Sequence, residues 1–236
     1  MAGPVNPAGA ILAFDCAGAM CSAAVWRGGR VLARRVQAGK HGQAELLLPM
    51  IEAVLAEAGL GYDALTAIAT TLGPGSFTGL RTGLAAARGL ALATGLKAVG
   101  VSTLDAAAHA VAADERRGRG VLAAIDSRRD EIFVQAFNES LAALAAPVVL
   151  TPAAAAACAP PGALAVAGDA AALLHAALRA AGRDAIVAKS AGPTDIAVVA
   201  ALAEARLAQG GDLPALRPLY LRPPDVTPQP NARRAK

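Results

Sequence analysis

At 236 residues, 55% of them apolar, the chain can form one large domain or two small ones, and core size is not a limit. The net charge is +4, and Arg222, Arg233, Arg234 and Lys236 against Asp225 place +3 of it in residues 222–236, so the basic balance belongs to a proline-rich tail and not to a nucleic-acid-binding face. Residues 140–168 carry no charge but are broken by Pro147, Pro152, Pro160 and Pro161, which excludes a spanning helix. Residues 1–10 lack the basic start of a secretory leader, and the three cysteines, Cys16, Cys21 and Cys158, have no metal-type spacing; reduced thiols and a cytoplasmic location are expected.

Residues 10–14 read as a strand ending at Asp15, followed by strands over 21–26 and 31–37 joined at Arg27-Gly28-Gly29-Arg30, whose paired glycines suit a tight hairpin. A helix is expected over 43–58. Leu46, Leu47, Leu48, Met50, Ile51, Val54 and Leu55 cover more of its circumference than one buried face requires. A strand over 67–72, a glycine turn, a helix over 76–94, a strand over 97–101 and a helix opened by Ser102 and Asp105 complete this half.

After the basic break at 114–120 the pattern starts again. Residues 121–126 form a strand closing on Asp126, as the first strand closes on Asp15, and 132–137 pair with it. A strand near 163–167, a helix from Asp169 as cap to residue 181, a strand over 185–188 and a helix over 194–208 are expected to follow. Two successive units of this kind predict a duplicated α/β fold with mixed sheets flanked by helices. The expected divisions are a flexible N-terminus (1–9), an N-terminal domain (10–107), a smaller C-terminal domain (108–222) and a disordered basic tail (223–236).

The most particular stretch is Gly73-Pro74-Gly75-Ser76-Phe77-Thr78-Gly79-Leu80-Arg81. Gly73 and Gly75 permit unusual backbone angles, Pro74 fixes its own, and Ser76 can cap the following helix. The spacing fits neither a Walker A loop, which would need a lysine, nor a dinucleotide fingerprint, since Thr78 stands where each would need its next glycine. A turn with a close helix contact is the expectation, ahead of a phosphate cradle. Along the helix Gly79, Gly83, Ala86 and Ala87 recur at three- and four-residue spacings, so one face is nearly bare and another backbone can approach it.

Asp15 after its strand, His41-Gly42-Gln43 ahead of Leu47-Leu48-Pro49, the glycine block, Gly100-Val101-Ser102-Thr103-Leu104, Ile125-Asp126-Ser127-Arg128 with Glu131, and Pro218-Leu219-Tyr220-Leu221-Arg222 together resemble the TsaB family, the non-catalytic partners in bacterial threonylcarbamoyladenosine modification of tRNA. The resemblance is strong over 10–137, thin over 138–215, and returns at the C-terminal Tyr-Leu-Arg. It implies two ribonuclease H-like units of the actin and Hsp70-like ATPase superfamily. It also implies a complex with TsaD, the transferase that acts beside the anticodon, and with the small ATPase TsaE. His41, His109 and His175 stand singly, without the His-x-x-x-His pair by which a TsaD-like protein holds metal, so no metal is expected. Cys16 and Ala17 occupy a loop where a working phosphate site carries small polar and glycine residues, and Asp126 is followed by Ser127-Arg128-Arg129 with no glycine. Asp15 and Asp126 are therefore read as a vestigial nucleotide site. No catalytic residue and no cofactor of its own are expected; a nucleotide at the interface with the partner stays open.

The expected role is a scaffold docking TsaD through the helices over 43–58 and 76–94, by way of Leu47, Met50, Ile51, Val54, Gly79, Leu80, Gly83, Leu84 and Ala87. The turn Gly73, Pro74, Gly75 and Ser76 would set the second helix in place. A fully buried large apolar side chain contributes about 1.5–3 kcal/mol and association costs on the order of 4–15 kcal/mol, so both helices are needed. Without TsaD the same face is expected to form a two-fold homodimer, and Leu84→Glu or Gly83→Leu to abolish both assemblies without unfolding the chain. The alternatives are a superfamily ATPase, sugar kinase or glycoprotease-like enzyme, or an RNA-binding module acting through the tail.

Overall fold

The computed structural model describes residues 9–39, 43–211 and 213–222; the expectations placed on residues 1–8, on His41-Gly42 and on the tail 223–236 lie outside them. The chain runs β1 (Ala10–Asp15), β2 (Met20–Arg27), β3 (Arg30–Ala38), α1 (Gln43–Ala58), β4 (Leu65–Gly73), α2 (Phe77–Thr94), β5 (Lys97–Ser102) and α3 (Thr103–His109). It then repeats that order as β6 (Gly120–Asp126), β7 (Ile132–Phe137), β8 (Val148–Leu150), α4 (Pro152–Ala157), β9 (Leu164–Ala167), α5 (Ala171–Ala180), β10 (Ala185–Val187) and α6 (Ile196–Gln209). The first sheet has the order β3-β2-β1-β4-β5 and the second β8-β7-β6-β9-β10. In each, the first three strands are antiparallel and the last two run parallel to the central one.

Hairpin chemistry explains the antiparallel half of each sheet. Gly28 and Gly29 both take positive φ between β2 and β3, as a two-residue connection demands. The strands joined by helices are parallel because a crossover returns the chain to the same edge. Central strands β1 and β6 read as continuous apolar runs since both their faces are covered.

β8 and α4 lie where the sequence reading placed no element. The prolines there point to irregular chain, yet Pro152 occupies the start of α4, where its missing N–H costs nothing, and Thr151 caps the turn by accepting from Ala154 N at 3.3 Å. Two helix starts also differ. α5 begins at Ala171 with no side-chain cap, and Asp169 instead accepts from Asp126 N at 2.8 Å. α6 begins at Ile196, capped by Asp195 accepting from Ala197 N at 2.9 Å.

The final helix of each unit crosses to the other. α6 packs on the first sheet, where Ile196, Val199, Ala200 and Ala203 cover Ile11, Ala13, Ala24, Ala67 and Ala69. Leu104, Ala107 and Ala108 of α3 pack with Val121, Ala123, Ile125 and Phe133 of the second sheet. The division near residue 108 is therefore one of sequence, since each unit closes the other's core. Trp26 donates to Glu204 at 2.9 Å and Arg206 to Asp105 at 2.9 Å, and both bonds tie α6 to the first half.

Candidate functional site

Asp15 ends β1 only 3% exposed. Its carboxylate accepts from Ala17 N at 2.8 Å and from the Thr71 hydroxyl. Burial nonetheless pushes its pKa above the ordinary 3.8, with the charge of Asp169 adding to the rise against these bonds. A carboxylate spent on its own loop and on β4 has little left to offer a ligand.

The glycine turn lies on that loop. Ser76 N donates to Ala17 O at 2.7 Å, and a Cβ on Gly75 would stand 2.5 Å from the same carbonyl, so only glycine allows the approach. Gly73 takes φ +98°, and Thr103 donates to Pro74 O at 2.6 Å. Ser76 accepts from Gly79 N at 3.3 Å as the cap of α2. Thus Gly73, Pro74, Gly75 and Ser76 form a turn and cap, held in direct contact with the loop after β1.

The second unit is more open. Asp126 accepts from Arg128 N at 2.7 Å, and Arg128 Nε lies 3.5 Å from its other oxygen. Asp169 is itself raised, first by burial and then by the Asp126 charge. Between the glycine turn and this loop lies a cavity of about 430 Å³, with Pro74, Phe77 and Leu80 on one side and Asp126, Arg128 and Phe133 on the other.

The segment after α6 closes one wall of that cavity. Leu219 N donates to Leu72 O at 2.7 Å, Tyr220 packs on Phe77 with ring centroids 5.4 Å apart, and Arg81 lies 3.7 Å over the Phe77 ring while donating to the Tyr220 hydroxyl at 3.2 Å. Arg222 pairs with Glu131. Sequence reasoning left Phe77, Arg81 and Tyr220 without a role. With aromatics at 3% of the chain, their scarcity was the available signal.

The residues expected to dock a partner turn inward. Leu47, Met50, Ile51, Val54, Leu84 and Ala87 belong to one core with Leu12, Phe14 and Val25, and Leu80, Gly79 and Gly83 are buried as well. A Cβ on Gly83 would sit 3.2 Å from Thr70 Oγ1 on β4, so the bare face of α2 accommodates the chain's own sheet. The surplus of apolar residues on α1 is mostly absorbed by β2, β3 and α2. Outward remain Leu48 at 52% exposure on α1, and Phe77 at 43% and Leu92 at 88% on α2. Leu84→Glu and Gly83→Leu consequently strike the core and cannot probe an interface. Among the described residues no three His, Cys, Asp or Glu side chains group to hold a metal ion, and no helix is long and apolar enough to cross a membrane.

Two copies of one β-β-β-α-β-α-β-α unit, each with an aspartate closing its first strand, define the ribonuclease H-like duplication of the actin and Hsp70-type ATPase superfamily. A sugar kinase of that class, the ROK hexokinase of Thermus thermophilus, shares the fold at TM-score 0.53 and 16% identity, covering 85% of this chain and 100% of the kinase. The model of the TsaD family, tRNA N6-adenosine threonylcarbamoyltransferase, matches residues 35–209, and the chain belongs to that family. It is 40% identical over 123 residues to the tRNA threonylcarbamoyladenosine biosynthesis protein TsaB of Escherichia coli, a match covering 52% of each chain. The chain thus spans about half the length of the curated relatives it matches. In structure it resembles YeaZ from Pseudomonas aeruginosa over 90% of this chain and 100% of that one, with TM-score 0.69 and 27% identity.

Proposed function

We propose that this chain is a non-catalytic scaffold subunit in threonylcarbamoyladenosine modification of tRNA, acting in the cytoplasm. It docks and activates TsaD, enables recruitment of TsaE, and meets tRNA only through those partners. When TsaD is absent it pairs with a second copy of itself. It has no cofactor of its own, and any nucleotide it meets lies at the partner interface. The observation that carries this reading is the closed first loop, in a chain of the threonylcarbamoyltransferase family: Asp15 is bonded to Ala17 and Thr71, and the carbonyl of Ala17 is taken by Ser76 N.

Partner binding falls on the outward faces of α1 and α2, which lie side by side and carry Leu48, Phe77 and Leu92 at the surface. The inward residues named above then support that face from behind. A charge introduced at Leu48 or Leu92 leaves the core intact while placing an unpaired carboxylate in any apolar contact, which costs several-fold or more in affinity.

The matching family's description as a transferase favours a second reading, in which the chain transfers the group itself. Reconstitution of tRNA modification from purified TsaD and TsaE, supplied with unmodified tRNA, ATP and an activated threonylcarbamoyl donor, with and without this chain, separates the two. Modification is expected only with all three present. Equal modification without this chain, or modification by this chain alone, refutes the scaffold role.

A further inference from the structure

The hairpin after β1 holds two thiols that the scaffold role does not use. Asp15 lies opposite Ser22 in the antiparallel register of β1 and β2, so Cys16 and Cys21 face each other at the next position outward. Their Sγ atoms are 3.3 Å apart, and both side chains are buried, at 1% and 0% exposure, in the core beneath α1 and α2. Directly opposed strand residues hold their Cβ atoms about 4.5–5.5 Å apart, whereas a disulfide needs about 3.5–4.5 Å, so a small closure of the hairpin end suffices to join the sulfurs.

We propose that Cys16 and Cys21 form a reversible intramolecular dithiol–disulfide pair, oxidised by small peroxides. A hydrogen bond from the Cys16 thiol favours the thiolate on Cys21, while the same bond and burial push the Cys16 thiol up. The Cys21 thiolate attacks one peroxide oxygen, breaking the O–O bond and leaving a sulfenic acid and hydroxide. The Cys16 sulfur then displaces the sulfenic oxygen as the S–S bond forms, and the Cys16 proton leaves with it as water. Both electrons pass to the peroxide. In sum, two thiols and one peroxide become one disulfide and two waters, and a dithiol reductant reverses the change. Burial makes the oxidant's size decisive, since a small peroxide reaches this hairpin with less local opening than a bulky disulfide requires. The inference stands on the hairpin alone and is independent of the scaffold reading.

The test uses full-length Cys158→Ser protein, because Cys158 is exposed on the far unit and would confuse the thiol count. The folded protein is treated with hydrogen peroxide, then denatured, alkylated and weighed intact. The expected result is the loss of two hydrogens, with neither remaining thiol alkylated, and full recovery of both thiols with dithiothreitol. Adding Cys16→Ser should abolish the hydrogen loss. Should that variant fail to fold, the same loss must map to the tryptic peptide of residues 1–27 in the wild type, which contains both cysteines. Two thiols that still alkylate after peroxide, a mass that rises by oxygen atoms without losing hydrogens, or a hydrogen loss that survives Cys16→Ser would each overturn the proposal.

Discussion

The two units share one strand order and differ in what lies on top of it. The first carries helices of 16 and 18 residues, α1 and α2, while the second carries α4 and α5 of 6 and 10. The acidic loops differ in the same sense. Asp15 is sealed by the glycine turn, whereas Asp126 lines the cleft beside Arg128. One strand order thus carries a closed loop under a heavy helical layer on one side and a lighter, more open arrangement on the other. The first unit carries the larger helical layer, with Leu48 and Leu92 exposed on it, and the second contributes Asp126, Arg128 and Phe133 to the cleft.

The largest contrast is expected at equivalent glycines. Gly73 ends β4 and Gly168 directly follows β9, with φ of +98° and +95°. A Cβ at Gly168 would meet Ala124 O at 2.1 Å, but one at Gly73 would first meet a flexible Leu80 methyl at 2.9 Å. Left-handed strain costs each alanine variant about 1–3 kcal/mol. The backbone clash raises Gly168→Ala by about 1–3 kcal/mol more. Urea denaturation of both variants checks the ranking, and equal losses would break it.

A second contrast divides the two sides of α1. Ile51→Ala should cost about 2–5 kcal/mol, as truncation of a fully buried side chain does. Leu48→Glu on the outward face should stay within about 0.5 kcal/mol yet weaken assembly with TsaD, which analytical ultracentrifugation of each variant reads directly. The aromatic strap is weaker. Phe77→Ala should remove about 0.5–1.5 kcal/mol, and Phe77→Ala combined with Tyr220→Ala should lose less than the two single changes together, because each removes the same contact.

A last contrast concerns pH and sharpens the difference between the acidic loops. The folded Asp15 pKa is raised above its ordinary 3.8, so the folded state keeps a proton that the unfolded state releases. Its contribution is therefore at its best at low pH and is lost as pH rises from about 4 through the folded value, after which it is constant. Asp169 adds a loss of the same sign. Asp15→Asn preserves acceptance from Thr71 and Ala17, and should flatten the Asp15 part of that slope in melting curves taken across the acidic range. An unchanged slope would mean that the loop is more solvated than its burial implies.

Much of this was legible in the residues. The hairpin glycines, the Ser76 and Ser102 caps, the glycine turn and the repeated strand ending in aspartate all act over a few positions, so local chemistry was enough to place them. The orientation of α1 and α2 was not. An apolar stripe shows that a helix has something to bury, but Leu47 and Val54 turn toward β1 and β2 because those strands supply Leu12, Phe14 and Val25 in the facing layer. The strap at Tyr220 was hidden for a related reason, since its partner Phe77 lies 143 positions earlier.

By itself the sequence determined the order of the elements apart from β8 and α4, the turns, the Ser76 and Ser102 caps, the duplication and the family, because each is encoded in short runs or in residues that only one backbone geometry tolerates. Only the tertiary structure decided that α3 and α6 exchange sheets, that the bare face of α2 lies on β4, and that the first loop is closed. Those outcomes depend on which apolar surface remains uncovered once every other element is in place, a property of the whole assembly of elements that no local pattern carries.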